Sequence, residues 1–318
     1  MSHIPRIDVH HHIIPPQLQG VAAGLKGMEV PKWTVESDIA FNKTYNIGSA
    51  IYSASTPGVT HITDPEKSAT VARQMNEYNA QLRDENPKNG FFATVPSLQY
   101  TELVLQELRY AFDILKADGI TLFTSYATPE GYLDHAEYVP VWKELNRRKA
   151  VVFVHPINNV SAVYFDQRLP MPAFDWPHET GRTAIDMILN RRLQQFPDVK
   201  VILSHGGGTL IALIQRATMI ALPEFGETMS AEDMISQAKQ FYFDTALAGS
   251  KEVFPMIFEF AKPGHLLFGS DYPHAPEQLS NGFTKFVDGF QRDEERKREI
   301  YYKAALKLFP RLNESYRT

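Results

Sequence analysis

The sequence predicts an α/β protein, a (β/α)8 TIM barrel with insertions in the loops at its carboxyl-terminal face. Three observations carry this expectation. Eight short runs rich in Val, Ile, Leu and Phe recur along 318 residues. Segments with helical spacing of apolar residues separate them. The runs lie about 37 residues apart, against roughly 30 for a bare βα unit, which leaves room for insertions.

In order, the strands are expected at 7–12, 47–53, 90–95, 119–124, 150–155, 199–205, 241–245 and 266–271. Pro65 followed by Glu66 opens a helix after the second strand, and Pro87 closes it. After the third, residues 101–116 put Val104, Leu108, Ala111 and Leu115 on one stripe. Residues 156–178 read as a long extended connection carrying Tyr164, Phe165, Phe174 and Trp176. Such connections usually span about 2–6 residues, so this one reads as a lid or binding wall. Segments 179–195 and 251–261 have helical period, and the charged run 292–299 fits the solvated face of a last helix. No repeat or linker divides the chain, so residues 1–318 are expected to form one domain.

Composition narrows the function. Thirty-two basic and 37 acidic residues leave a net charge of −5, which gives no positive field for nucleic acid. The absence of cysteine excludes disulfides, thiol nucleophiles and cysteine-ligated metals. Any metal must be held by His, Asp or Glu. No apolar run approaches the roughly 18 residues of a membrane span, and no targeting segment is evident, so a soluble cytoplasmic protein is expected.

The first strand reads Ile7-Asp8-Val9-His10-His11-His12. Strand alternation sends Asp8, His10 and His12 to one face and His11 to the other, where it meets the helix layer. Three later strands end in His155, His205 and Asp271. The carboxyl ends of barrel strands gather at one mouth, where such proteins keep their chemistry. His10, His12, His155 and Asp271 would suit one divalent cation, zinc first, with manganese, iron or cobalt accommodated. His205 is either a further ligand or a free general acid/base. Asp8 and Asp244 stand where they could orient ligand imidazoles. The glycines 206–208 serve a tight turn or a close backbone approach.

These residues resemble the amidohydrolase superfamily. Segments 7–15, 55–59, 91–96, 203–210, 242–246 and 268–273 are similar to its aminocarboxymuconate-semialdehyde decarboxylase-like branch, and within it most to the 6-methylsalicylate decarboxylases. The resemblance implies metal ligation by His10, His12, His155 and Asp271, catalysis by His205, and a homodimer. Some hydroxybenzoate decarboxylases of the branch have Glu-x-His where this chain has His10-x-His12, which points to a nitrogen-rich, zinc-like site. Binuclear relatives place a lysine at the end of strand four; residues 119–125 contain none, which implies a single metal ion.

The implied reaction is non-oxidative decarboxylation of an ortho-hydroxy aromatic acid, with 6-methylsalicylate giving 3-methylphenol and carbon dioxide. Asp271 is expected as ligand and proton donor, with His205 orienting substrate or shuttling protons. Phe174 and Trp176 would wall the small aromatic acid, with Phe91, Phe92 and Tyr126 as further contacts. Arg182 meets either a substrate carboxylate or Glu179. Hydrolysis of a lactone, ester or amide would use the same residues, and a non-catalytic barrel binding a metal or an aromatic acid is a more remote alternative. The other histidines, His3, His11, His61, His135, His178, His265 and His274, have no part in the expected site.

Overall fold

The computed structural model describes residues 3–19, 31–126, 131–159, 161, 166, 168–225, 229–275, 277–290 and 293–316. Eight parallel strands follow one another in sequence order: β1 (Arg6–Ile13), β2 (Ile47–Ala54), β3 (Gly90–Ala93), β4 (Gly119–Phe123), β5 (Val151–His155), β6 (Lys200–Leu203), β7 (Tyr242–Asp244) and β8 (Leu266–Leu267). Backbone bonds from Val9 N to Phe268 O (3.0 Å) and from Asp271 N to His10 O (2.9 Å) bring β8 back to β1. The result is a (β/α)8 barrel.

Helices α1 (Val35–Thr44), α2 (Pro65–Glu85), α3 (Thr101–Arg109), α4 (Val139–Arg148), α5 (Met171–Leu189), α6 (Arg192–Gln195), α7 (Leu210–Phe225), α8 (Ala231–Ala238), α9 (Phe254–Phe260), α10 (Glu277–Phe290), α11 (Glu294–Arg298) and α12 (Ala304–Leu308) surround the sheet. Their starts follow local chemistry. Asp64 caps α2, its side chain accepting the Lys67 N–H at 2.7 Å, and Pro65 fills a position whose own N–H would be unpaired. The stripe at 101–116 continues beyond α3 as a wider turn over Tyr110–Ile114.

Strand alternation divides the core into two layers. On β5, Val151 and Phe153 enter the barrel with Ile7, Val9, Phe92, Ile202 and Leu267, while Val152 and Val154 face the helices. Phe309 and Leu312, beyond α12, pack against this interior group. Phe92 stacks on Phe153 at 5.4 Å, and Phe153 meets the His10 ring edge-on at 4.9 Å. The apolar interior is therefore the floor on which the imidazoles stand. Each such buried aliphatic or aromatic side chain contributes about 1.5–3 kcal/mol.

Two expectations change here. Residues 171–178 are not extended: α5 begins at Met171, with Pro172 in its first turn and Pro177 inside it. Prolines that read as loop punctuation are tolerated in an opening turn, and the one inside the helix sits where α5 meets the turn after β6. The Pro177 carbonyl accepts the Thr209 N–H at 3.0 Å. Phe174 and Trp176 thus sit on a helix, while Tyr164 and Phe165 lie outside the described residues. The second change is in β1. Asp8 pairs with Ala50 and His11 with Tyr52, so β1 has one extra residue between them. This bulge breaks the alternation, and Asp8 does not share a face with His10 and His12.

Candidate metal centre

The bulge re-aims β1 at its mouth end. Ile7 and Val9 fill the floor, and His10 and His12 then both point into the barrel above it. β5 delivers His155 as its last residue, and Asp271 follows β8 in a left-handed backbone conformation (φ 60°). Imidazole and carboxylate ligand atoms of His10, His12, His155 and Asp271 lie within 4.8 Å of one another, all buried. His10 Nε2 is 3.0 Å from His12 Nε2, and Asp271 Oδ1 is 3.2 Å and 3.4 Å from these two nitrogens.

The outer hydrogen bonds fix which ring nitrogen faces the centre. His10 Nδ1–H donates to Asp244 Oδ2 at 2.7 Å. The His12 Nδ1 lies 3.0 Å from Ser53 Oγ, and the His155 Nδ1 lies 2.9 Å from both the Pro156 carbonyl oxygen and Thr56 Oγ1. With Nδ1 protonated in each ring, three Nε2 lone pairs and one carboxylate converge. Converging acceptors repel one another unless a cation lies between them, so the donor set fits a divalent ion with nitrogen and oxygen preference.

The electrostatics agree with that demand for positive charge. Burial disfavours protonation of His10, yet Asp244 and Asp271 override it and push its pKa up to about 10. Burial, reinforced by the neighbouring histidines, lowers His12 to about 3 and holds His155 well below the ordinary range. Burial opposes ionisation of Asp271, but His10 and the hydrogen bonds from His10, His12 and His205 hold its carboxyl well below the usual carboxylate range.

His205 stands beside this group. Its ring lies 4.7 Å from that of His10 and 5.6 Å from that of His155, and its Nε2 is 3.6 Å from Asp271 Oδ2. The turn after β6 holds it there, with positive φ at His205 (53°), Gly206 (64°), Gly207 (80°) and Gly208 (58°). A Cβ on Gly208 would lie 2.1 Å from the Pro177 carbonyl oxygen, so these glycines provide both the turn and the close approach. Asp244 joins the two histidines: Oδ2 binds His10, while Oδ1 accepts the His205 N–H at 2.9 Å.

Asp8 takes a different place from the one expected. Its carboxylate accepts the N–H groups of His10 and Ser270 at 3.1 Å, the Ser270 hydroxyl at 2.5 Å and His11 Nδ1–H at 3.0 Å. It clamps the end of β8 to β1 and touches no ligand imidazole. His11 continues the chain to Asp38 at 2.6 Å, which also accepts from Tyr52, Trp33 and Asn42.

The expected substrate contacts separate. Trp176 is buried, its ring 5.6 Å from that of His155 and its Nε1–H donating to Asn158 Oδ1 at 2.6 Å. A cleft of about 1290 Å³ along α5 is lined by Trp176, Asn158, Glu179, Arg182 and Arg216, and by none of the four converging residues. Phe174 is half exposed and packs on His178. Phe92 lies in the barrel floor, and Phe91 faces the helix layer. Tyr126 is buried with its hydroxyl accepting the Phe123 N–H at 2.9 Å; the Phe123 ring is 6.4 Å from that of His155. Arg182 is exposed, 3.9 Å from Glu179. Unforeseen at the mouth are Ser53, Ser55, Thr56 and His274. The string Ser55-Thr56-Pro57 ends the second strand at the same rim, a placement that could have drawn attention to both hydroxyls.

Comparison with known proteins now gives the geometry a family. The chain is 45% identical over 313 residues to a 6-methylsalicylic acid decarboxylase of Penicillium expansum, covering 96% of this chain and 97% of that protein. A 6-methylsalicylic acid decarboxylase of Aspergillus aculeatus is 43% identical over 318 residues, covering 96% of each. In fold, the chain is similar to a solved dihydroxybenzoic acid decarboxylase from Polaromonas sp. JS666, which carries manganese and the inhibitor 2-nitroresorcinol. The TM-score is 0.82 at 19% identity, over 96% of this chain and 97% of that one. The family model described as Amidohydrolase matches residues 7–311, and with it the chain belongs to the amidohydrolase family.

Proposed function

We propose that the chain is a metal-dependent, non-oxidative decarboxylase that converts 6-methylsalicylate to 3-methylphenol and carbon dioxide. One observation carries the reading: Asp271 spans the site, with Oδ1 against the His10 and His12 nitrogens and Oδ2 3.6 Å from His205 Nε2. A carboxylate shared between a ligand cluster and an acid/base imidazole suits proton delivery beside a bound aromatic acid. The likeness over nearly whole chains to 6-methylsalicylic acid decarboxylases names the acid.

A single divalent ion, zinc by the nitrogen-rich donor set and manganese as the alternative, would be held by His10, His12, His155 and Asp271. It would neutralise the charge of the carboxylate and the ortho oxygen of the substrate. The chain's own residues supply the rest. Asp244 fixes the His10 ring and the His205 backbone, so the imidazole of His205 and the carboxylate of Asp271 keep their mutual distance. His205 holds a proton at Nε2 and passes it to Asp271 Oδ2, and Asp271 delivers that proton to the ring carbon that bears the carboxyl group. The new C–H bond forms there. The C–C bond then breaks, its electron pair returns to the ring, and carbon dioxide leaves. Trp176, packed beside His155, keeps water from that side. Phe174 and Arg182 fit the wall of the outer cleft, and Tyr126 supports Phe123 near His155. A homodimer, a cytoplasmic location and a single domain over residues 1–318 belong to the same reading.

The test is turnover of 6-methylsalicylate by protein loaded with zinc or manganese, followed by release of carbon dioxide and 3-methylphenol. The expected result is stoichiometric formation of both products, reduced about 100-fold or more in kcat by His205→Ala or Asp271→Asn. Turnover of a lactone or ester without carbon dioxide release overturns the reading, as does full activity in either variant.

A further inference from the structure

His274 is an imidazole at the mouth that neither the ligand cluster nor the proton delivery uses. It lies three residues beyond Asp271, half-buried, with its ring 5.2 Å from the His12 ring and nearly perpendicular to it. Its Nε2 is hydrogen-bonded to Ser55 Oγ, a buried hydroxyl at the end of β2. The next residue, Thr56, holds His155 through Oγ1. Two adjacent side chains of one strand end therefore brace two imidazoles of the mouth. Nδ1 of His274 makes no hydrogen bond among the described residues. An imidazole fixed at one nitrogen and open at the other, beside the cluster, is arranged to meet a ligand.

Resting on the decarboxylase reading above, we propose that His274 is a substrate-binding residue whose Nδ1–H donates to a carboxylate oxygen of the aromatic acid, and that Ser55 is the positioning residue that holds it. Ser55 Oγ also lies 3.1 Å from the Thr56 carbonyl oxygen and has one proton to give; in the proposed arrangement it goes to His274 Nε2, which keeps the imidazole proton on Nδ1. His205 flanks His10 and His155, whereas His274 flanks His12. The two imidazoles thus divide the work: His205 serves proton transfer at Asp271, and His274 fixes the acid that is to be lost. The contact exists in the ground state, so its loss falls mainly on KM.

The test uses metal-loaded full-length protein and 6-methylsalicylate. His274→Phe keeps an aromatic ring without the donor; it is expected to raise KM about 10- to 100-fold, the range for a hydrogen bond to a charged group, with metal content unchanged. His274→Asn places an amide N–H near the position of Nδ1 and is expected to bring KM back to within about 3-fold of wild type. Ser55→Ala leaves the imidazole unbraced and is expected to raise KM by a smaller factor with kcat little changed. A wild-type KM in His274→Phe overturns the inference while leaving the proposed function standing. Should that variant not fold, a wild-type KM in Ser55→Ala overturns it. Wild-type protein that binds 6-methylsalicylate calorimetrically without releasing carbon dioxide refutes the proposed function instead, and the same variants then decide this inference by their Kd values.

Discussion

Asp244 shows how much a single side chain can carry. One oxygen takes the His10 Nδ1 proton and the other takes the backbone protons of His205 and Ala246, at 2.7, 2.9 and 3.0 Å. Asparagine has the same shape but presents an NH2 group to one of these donors, so Asp244→Asn must lose either the ring bond or the turn bonds. Metal affinity, measured by competition with a chromophoric chelator, is expected to fall about 10- to 100-fold while the folded content stays near wild type. Unchanged affinity together with unchanged kcat would show that Asp244 orients nothing. Residues of this kind are only partly legible in sequence. His155, His205 and Asp271 announce themselves because each ends an apolar run, and strand ends must meet at the barrel mouth. Asp8 does not, because its placement depends on a bulge that leaves no mark in the string Asp8-Val9-His10. His274 is likewise hidden, since its partner Ser55 is 219 residues away.

The elements that aim these residues depend on backbone conformations few residues can adopt. The turn from β6 into α7 is the sharpest case, because Gly208 combines φ 58° with a 2.1 Å approach of its hypothetical Cβ to the Pro177 carbonyl. Gly208→Ala therefore strains the turn and pushes α5 away from it, which is expected to cost at least about 2 kcal/mol. The exposed helical Gly282 has nothing within 4 Å of its Cβ position. There the same substitution is expected to stabilise by up to about 1 kcal/mol, the helix propensity difference. Denaturant midpoints of the two variants check the contrast, and equal shifts in the same direction would refute the packing argument. At this scale the sequence reads well for long periodic segments such as α2 and poorly for α5. Pro172 and Pro177 resemble loop residues until the opening turn and the Thr209 partner are seen in space.

In the whole molecule, the converging donors come from distant parts of the barrel: His10 and His12 from β1, His155 from β5, and Asp271 after β8. A cation bound there would link β5 to β1 and β8, which the sheet joins to it only through intervening strands, and the unfolded chain has no such arrangement to offer. Binding to the folded state alone stabilises by RT ln(1 + [L]/Kd), about 2.7 kcal/mol at 100 times Kd. With an unfolding entropy of about 2.1 cal/mol/K per residue, a chain of 318 residues gains about 4 °C in Tm. The apolar floor beneath the imidazoles is independent of the ion, so chelated protein is expected to keep its secondary structure and unfold cooperatively at the lower temperature. Scanning calorimetry at rising zinc or manganese concentration measures the shift, with His155→Ala as the control that removes one ligand and leaves the floor intact. A metal-dependent shift in wild type that disappears in His155→Ala is the expected result. A Tm that is the same in chelator and in excess metal means that the converging acceptors do not form a metal centre, and the decarboxylase reading, which depends on that centre, fails with it.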